Sequence, residues 1–274
     1  MYCLTFKIIP TAAMTFRILP GSILNIATYP FVPPTTFSGF LRRIVMLSEG
    51  LDIPETSINK ENPPYFTLPR QYIALGAYPV LDKWSGVHRT HRKGTRSFNH
   101  DVFSRLYIDG DRENFQLHTW EYFIAEELIG YVVSESKSSL EAFSSLQGVG
   151  CKIGKEGFAV IDEVSESIRL QRKILSAHPS TVVPMEALIQ RNPCINRCDI
   201  YNLYRHEWSA DQTQDEDKGL FDTERSPING FIPFVAAYYP EKANPLPTLD
   251  FYTDGNLQIP VALVELLQGE SINV

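Results

Sequence analysis

The stretch GVGCKIGKEGFAVIDEV, Gly148 to Val164, places four glycines and two lysines in its first ten residues and then turns apolar. A dinucleotide-binding loop needs G-x-G-x-x-G after a strand, opening a helix whose N-terminus holds the pyrophosphate. Gly148, Gly150 and Gly154 give a spacing one residue longer. The preceding SSLEAFSSLQ (138–147), with Leu140, Phe143 and Leu146 on one face, predicts a short helix that stops at Gly148. FAVIDEV (158–164) predicts a strand. Helix, loop, strand is the reverse of the dinucleotide order, and without GK[ST] a P-loop is excluded. Two readings remain. The loop is either an exposed turn whose amides, with Lys152 and Lys155, approach a phosphodiester chain, or a glycine-rich β-turn with two solvated lysines.

Working outward, Tyr2, Leu4, Phe6 and Ile8 alternate as a strand, and Met14, Phe16 and Ile18 form a second run. Pro33 and Pro34 stop extended chain, and Thr35 or Thr36 can cap a helix. That helix carries Phe37, Phe40, Leu41, Ile44, Val45 and Leu47, has Arg42 and Arg43 side by side, and is closed by Gly50. YFTLPRQYIALGAYPVL (65–81) and SRLYIDG (104–110) read as extended chain, and FQLHTWEYFIAEELIGYVVSE (115–135) as a long strand or a hairpin. This order resembles a ferredoxin-like α+β unit with an insertion after its first helix, covering residues 1–165. Residues 166–274 contain IRLQRKIL, CDIYNLYRHEW, FIPFVAAYY, TLDFY and a closing VALVELL. They read as a mainly β C-terminal region, either a second subdomain or packed as one unit with the core.

Apolar residues make up 43% of the 274 and charged residues 21%, an ordinary globular composition. The net charge of −7 argues against a generic nucleic-acid coat. Four unevenly spaced cysteines make no disulfide framework. The first twenty residues, broken by Lys7 and Arg17, do not read as a leader, and no apolar run is long enough to span a bilayer. The expectation is a cytoplasmic protein without a membrane partner.

Against that acidic background, HRTHRKGTRSFNH (88–100) holds Arg89, Arg92, Lys93 and Arg96 with His88, His91 and His100 and no acid. Trp84 and Phe98 add aromatics, and Lys83 and Arg105 extend the charge. Cations interleaved with rings suit single-stranded nucleic acid, since guanidinium groups meet phosphates while rings stack on unpaired bases. A solvated loop, or one docking on an acidic protein, is the plainer alternative. DQTQDEDKGLFDTE (211–224), with six acids against Lys218, repels RNA from its side.

Catalytic and metal motifs are weak. His100-Asp101 lacks a supporting ligand set. Cys194 and Cys198, with His206 and His178, lack the tight paired spacing of structural zinc sites. Metal-independent RNA cleavage needs only a general base and acid, for which His88, His91 or His100 with Lys93 and a tyrosine are candidates. No cofactor is implied.

Three features coincide: FVPPTTFSGFLRRI (31–44), a basic insertion after that helix, and a glycine-rich loop after the second helix. Together they resemble the Cas-five family of CRISPR-associated RAMP proteins, and most closely the type I-D, Csc-one branch. In that resemblance Pro33 to Leu41 corresponds to the proline-led start of the first helix, where a small residue lets the helix pack tightly. Residues 148–157 correspond to the RAMP glycine loop, and about 83–105 to the thumb. The resemblance implies a noncatalytic Cascade subunit that grips the 5′ handle of the guide RNA. It would cap a Cas-seven-type filament and dock a Cas-ten-type large subunit, with target DNA near its flanking motif as a further partner. Its RNA contacts would fall on Arg42, Arg43, Lys83, Trp84, His88, Arg89, His91, Arg92, Lys93, Arg96, Gly148, Gly150, Lys152, Gly154 and Lys155. Some members of another subtype cut repeat RNA, so an endoribonuclease is the alternative, and a protein-interaction module a third.

Overall fold

The computed structural model describes residues 1–18, 25–48, 72–94, 116–141, 143–191, 197–208 and 228–268. Gly50, SRLYIDG, Arg96, His100, Arg105, Cys194 and the acidic stretch 211–224 lie outside them.

The alternating N-terminus forms β1 (Tyr2–Pro10), followed by the short β2 (Asn25–Ile26) and α1 (Pro34–Ser48). Next come β3 (Ile73–Pro79), β4 (Ser85–Gly94), β5 (Gln116–Ala125) and β6 (Leu128–Ser134). α2 (Ser138–Glu141) and a 3₁₀ turn (Ser144–Leu146) precede β7 (Gly150–Ile153) and β8 (Gly157–Val164). The remainder holds β9 (Ile168–Arg169), β10 (Gln171–Ser176), β11 (Val183–Pro184), α3 (Met185–Arg191), β12 (Asp199–Trp208) and β13 (Ile228–Tyr238). It ends with β14 (Thr248–Thr253), β15 (Gln258–Pro260) and α4 (Val261–Gln268). The protein is a strand-rich mixed α/β fold.

The main sheet runs β3-β6-β1-β8-β7, with β9 also paired to β1. Each neighbouring pair is antiparallel. β2-β5-β4, β10-β14-β15 and β11-β13-β12 form three smaller sheets. The alternating stretch 115–135 therefore resolves differently from either expectation. It breaks at Glu126 and Glu127: β5 pairs with β4 outside the main sheet, whereas β6 enters it between β1 and β3.

α1 begins at Pro34, whose missing N–H costs nothing at the first helical position, so Thr35 and Thr36 fall within the first turn. Phe37, Phe40, Leu41, Ile44 and Val45 are buried, the i, i+3, i+4, i+7, i+8 stripe of a core-facing helix. Leu47 lies off that stripe, 40% exposed. Phe37 packs edge-on against Phe6 of β1 with centroids 5.9 Å apart. The small residue that permits this approach is in the sheet and not in the helix. Gly39 is exposed with nothing near its Cβ position, whereas a Cβ at Gly130 in β6 would run into the Phe37 ring.

One cluster of buried side chains joins β1, α1 and β6 to Leu170, Val182, Leu203, Ala236, Tyr238, Ile259 and Leu263 of the later region. The Tyr29 hydroxyl, from the first part of the chain, donates to the Asn202 carbonyl in β12. A second, smaller cluster gathers Val183, Leu188, Ala237, Tyr239, Leu249 and Phe251. Among the described residues no helix is long and apolar enough to cross a membrane.

Two alanine substitutions separate these glycines. Gly130→Ala overpacks the α1 contact and is expected to cost about 1–3 kcal/mol. Gly39→Ala places a methyl in open space on a helix and is expected to gain about 0.5–1 kcal/mol. Urea midpoints moving in opposite directions check both.

Candidate nucleic-acid interface

Most of the expected basic insertion that the structure describes is the β4–β5 hairpin. Its register sets Val87 opposite Phe123, Arg89 opposite Glu121 and His91 opposite Thr119. The alternate positions set His88 opposite Tyr122, Thr90 opposite Trp120 and Arg92 opposite His118. Successive strand residues point to opposite faces, so His88 and His91 do not share one.

The odd-numbered face is electrically closed at Arg89. Glu121 is only 8% exposed, and a carboxylate so buried requires partners. One of its oxygens accepts from Arg89 Nε at 2.9 Å and a terminal guanidinium nitrogen at 2.6 Å, and the other from the Thr28 amide at 3.2 Å. Glu121 thus links Arg89, within the hairpin, to the Thr28 amide beside β2. Lys83 pairs with Glu126 at 3.0 Å, but both side chains are solvated and the pair contributes little. Trp84, at the hairpin base, is 62% exposed. His88 and His91 are exposed. Arg92 and Lys93 lie in β4 near its end.

The glycine-rich stretch is a second hairpin, β7–β8, at the edge of the main sheet. Gly154 turns it with φ +64°, and a Cβ there would meet the Phe16 ring at 2.7 Å and the Thr15 carbonyl at 2.8 Å. A Cβ at Gly157 would strike Met14, and one at Gly150 would approach Val160 at 2.8 Å. Gly148, also at positive φ, donates its amide to the Ile161 carbonyl at 2.8 Å. Gly150, Gly154 and Gly157 accordingly have packing reasons of their own. Lys152 is exposed, paired across the hairpin with Phe158, which is itself 44% exposed.

The two hairpins meet at Met14–Phe16. Met14 exchanges backbone hydrogen bonds with Phe123 of β5 at 2.8 and 2.9 Å. The Thr15 carbonyl accepts from the Lys155 amide at 3.1 Å. The Thr15 hydroxyl donates to the Glu121 carbonyl at 3.1 Å and accepts from the Trp120 indole N–H at 3.1 Å. Lys155 Nζ then lies 4.4 Å from the centre of the Trp120 ring, a cation–π contact. Trp120 and Tyr122 are near-parallel, with centroids 6.3 Å apart and 21° between planes. Lys155 is thereby brought to the hairpin face that carries His88, a meeting that sequence spacing does not show. Trp120 and Tyr122 were missed because HTWEYF reads simply as strand; the available signal was two rings at i and i+2 in a strand beside a basic one.

Arg42 and Arg43 diverge. Arg42 is 7% exposed and donates to the Ser38 carbonyl at 3.4 Å and hydroxyl at 3.3 Å. Burial, followed by the Arg42 charge, pushes His206 of β12 down to about 4. Arg43 is exposed on the β7 side, where its charge opposes the upward push that burial gives the Cys151 thiol. His178 accepts the Ala243 amide on Nδ1 at 3.1 Å. Among the described residues no group of three or more His, Cys, Asp or Glu side chains is placed to hold a metal ion.

Arg89→Ala leaves a buried carboxylate without its charged donor and is expected to cost about 1–3 kcal/mol. Combining it with Glu121→Gln should recover part of that loss, read from a double-mutant cycle in urea. His206 binds its proton more weakly folded, at about 4, than at its ordinary 6.5. The unfolded chain therefore takes up the proton first, and the His206 contribution to stability is lost as pH falls through this window. Thermal melts between these pH values should show a shallower acid loss for His206→Gln than for the wild type.

No family model matches the chain, and no curated protein does. Among solved structures it is similar to a CRISPR protein from Archaeoglobus fulgidus, covering 91% of this chain and 87% of that one, at 13% identity and a TM-score of 0.38. It is also similar to a chain of the type III-B Cmr-beta bound to cognate target RNA and AMPPnP, covering 88% and 85%, at 13% identity and a TM-score of 0.36. A chain of the type III-B Cmr-beta bound to cognate target RNA is matched over 100% of this chain and 90% of its own, at 13% identity and a TM-score of 0.38.

Proposed function

We propose that this chain is a noncatalytic RNA-binding subunit of a CRISPR surveillance complex, of the type I-D Cascade kind. In this reading it holds the 5′ handle of the guide RNA between the β4–β5 hairpin and the Lys155 turn. It would cap a filament of Cas-seven-type subunits beside a Cas-ten-type large subunit, with target DNA near its flanking motif as a further contact. The observation that carries it is the convergence of a basic, aromatic hairpin, inserted between β3 and β6, with the lysine-bearing turn of a second hairpin.

The ferredoxin-like reading of residues 1–165 draws support from connectivity. β1, α1, β3, β6, short helical turns and β8 follow one another, with β1 between β6 and β8 and every neighbour antiparallel. The β4–β5 hairpin takes the place of the thumb in that scheme. Phosphate contacts would position the RNA, and contacts to splayed bases would specify it.

Arg92, Lys93 and Arg96 are the cleaner probes of phosphate contact, because altering Arg89 disturbs Glu121. Changing these three to Ala should lower the slope of log affinity against log salt by about 2 for single-stranded RNA. An unchanged slope and unchanged assembly on guide RNA would overturn the thumb assignment. Tagged protein purified from its host should carry RNAs sharing one repeat-derived 5′ end followed by varied spacers. No RNA, or RNA without a common end, would overturn the guide-complex reading.

A further inference from the structure

β12 and β13 form an antiparallel ribbon whose two faces differ. One face sends Leu203, Ala236 and Tyr238 into the main cluster of buried side chains. The other sets Ile200 opposite Ala237, Asn202 opposite Val235, Tyr204 opposite Pro233 and His206 opposite Phe231. None of these is an acid, a lysine or an arginine. Burial, followed by the Arg42 charge, holds His206 down at about 4, so the strip is uncharged at neutral pH. Yet Ile200 is 55% exposed, Phe231 54% and Val235 42%, with Pro233 exposed among them. Apolar side chains left in water along one strip mark a surface made for contact. α3 closes the strip at one end, where Leu188 and Ala237 share the smaller cluster.

The chemistry of the strip narrows what covers it. A phosphodiester chain meets no cation there and would lose hydration without return. A strand added at the outer edge of β12 meets the Tyr29 hydroxyl, which already donates to the Asn202 carbonyl. A second copy of the chain, held by this strip alone, would bury on the order of 400 Å² per partner, about half of what a free-standing interface needs. The dimensions suit one helix. Two strands about 4.8 Å apart make a ribbon roughly as wide as a helix is thick. From residue 200 to 206 it runs about 20 Å, the length of roughly thirteen helical residues.

We infer that the face bearing Ile200, Val235 and Phe231 docks one amphipathic helix of a neighbouring protein subunit, whose uncharged apolar stripe lies along the ribbon. The three side chains enter the grooves between the turns of that helix. Such a contact is too small to hold two free proteins, but it fixes the position of a neighbour in an assembly that other contacts hold together. The inference rests on the proposed reading of the chain as a subunit of a larger complex, and not on which RNA that complex carries.

The test places p-benzoylphenylalanine at Ile200 of the tagged full-length chain, expressed in its host, and irradiates the intact assembly. Adducts should map by mass spectrometry to an amphipathic helix of an identified, co-purifying subunit. Changing Phe231→Asp together with Val235→Asp should lower retention of that subunit about tenfold. The affinity of the purified variant for repeat-derived RNA should stay at the wild-type value. Full retention by the folded double variant would overturn the docking face. Should the double variant not fold, the adducts alone decide. Adducts on RNA, on a second copy of the chain or on a charged protein surface overturn the inference, as does the absence of adducts. Helix adducts in preparations whose RNA lacks a common 5′ end would sink the guide-complex reading and leave this one standing. RNA with a common end but no helix adduct would do the reverse.

Discussion

Three consecutive residues, Met14, Thr15 and Phe16, hold the two hairpins in one arrangement. All three are buried. Met14 pairs with Phe123 and fills the space above Gly157, and Phe16 fills that above Gly154. Thr15 uses its carbonyl on the Lys155 amide and its hydroxyl on both the Glu121 backbone and the Trp120 indole. A short hydroxyl-bearing side chain suits a position with a donor on one side and an acceptor on the other. Without this segment, the basic hairpin and the lysine turn have no fixed relation.

Glu121 completes that joint from the hairpin side. Its carboxylate is satisfied by a side chain from β4 and an amide next to β2, so the hairpin is clamped near the middle of its length. Net charge alone describes Arg89 poorly, since half of what it does is to neutralise a buried neighbour. The remaining cations stand nearer the far end of β4, and the aromatic pair occupies the face away from the clamp.

Much of the central architecture was legible because it is written in local periodicity. The stripe from Phe37 to Val45 fixed α1, and alternation in Tyr2–Ile8 fixed β1. Distant complementarity was harder to read. The glycines at 154 and 157 look like a ligand loop in isolation, because their partners Phe16 and Met14 lie far back along the chain. The same holds for Gly130, whose role depends on the Phe37 ring, and for Arg42, which sequence placed at the surface beside Arg43. In the stretch 115–135 only Glu126 and Glu127, where the buried positions change from odd to even, mark that its two halves belong to different sheets.

The position of β1 at the middle of the main sheet has a consequence for synthesis. Its partners β6 and β8 begin at Leu128 and Gly157, so β1 has neither of them until more than half the sheet's chain has followed. Such distant pairings close late, whereas a hairpin's own strands close quickly once both are present. The β4–β5 arm can therefore be complete before the sheet that carries it. During that interval β1 is an apolar strand with two open edges, the kind of nascent segment that needs a chaperone's cover.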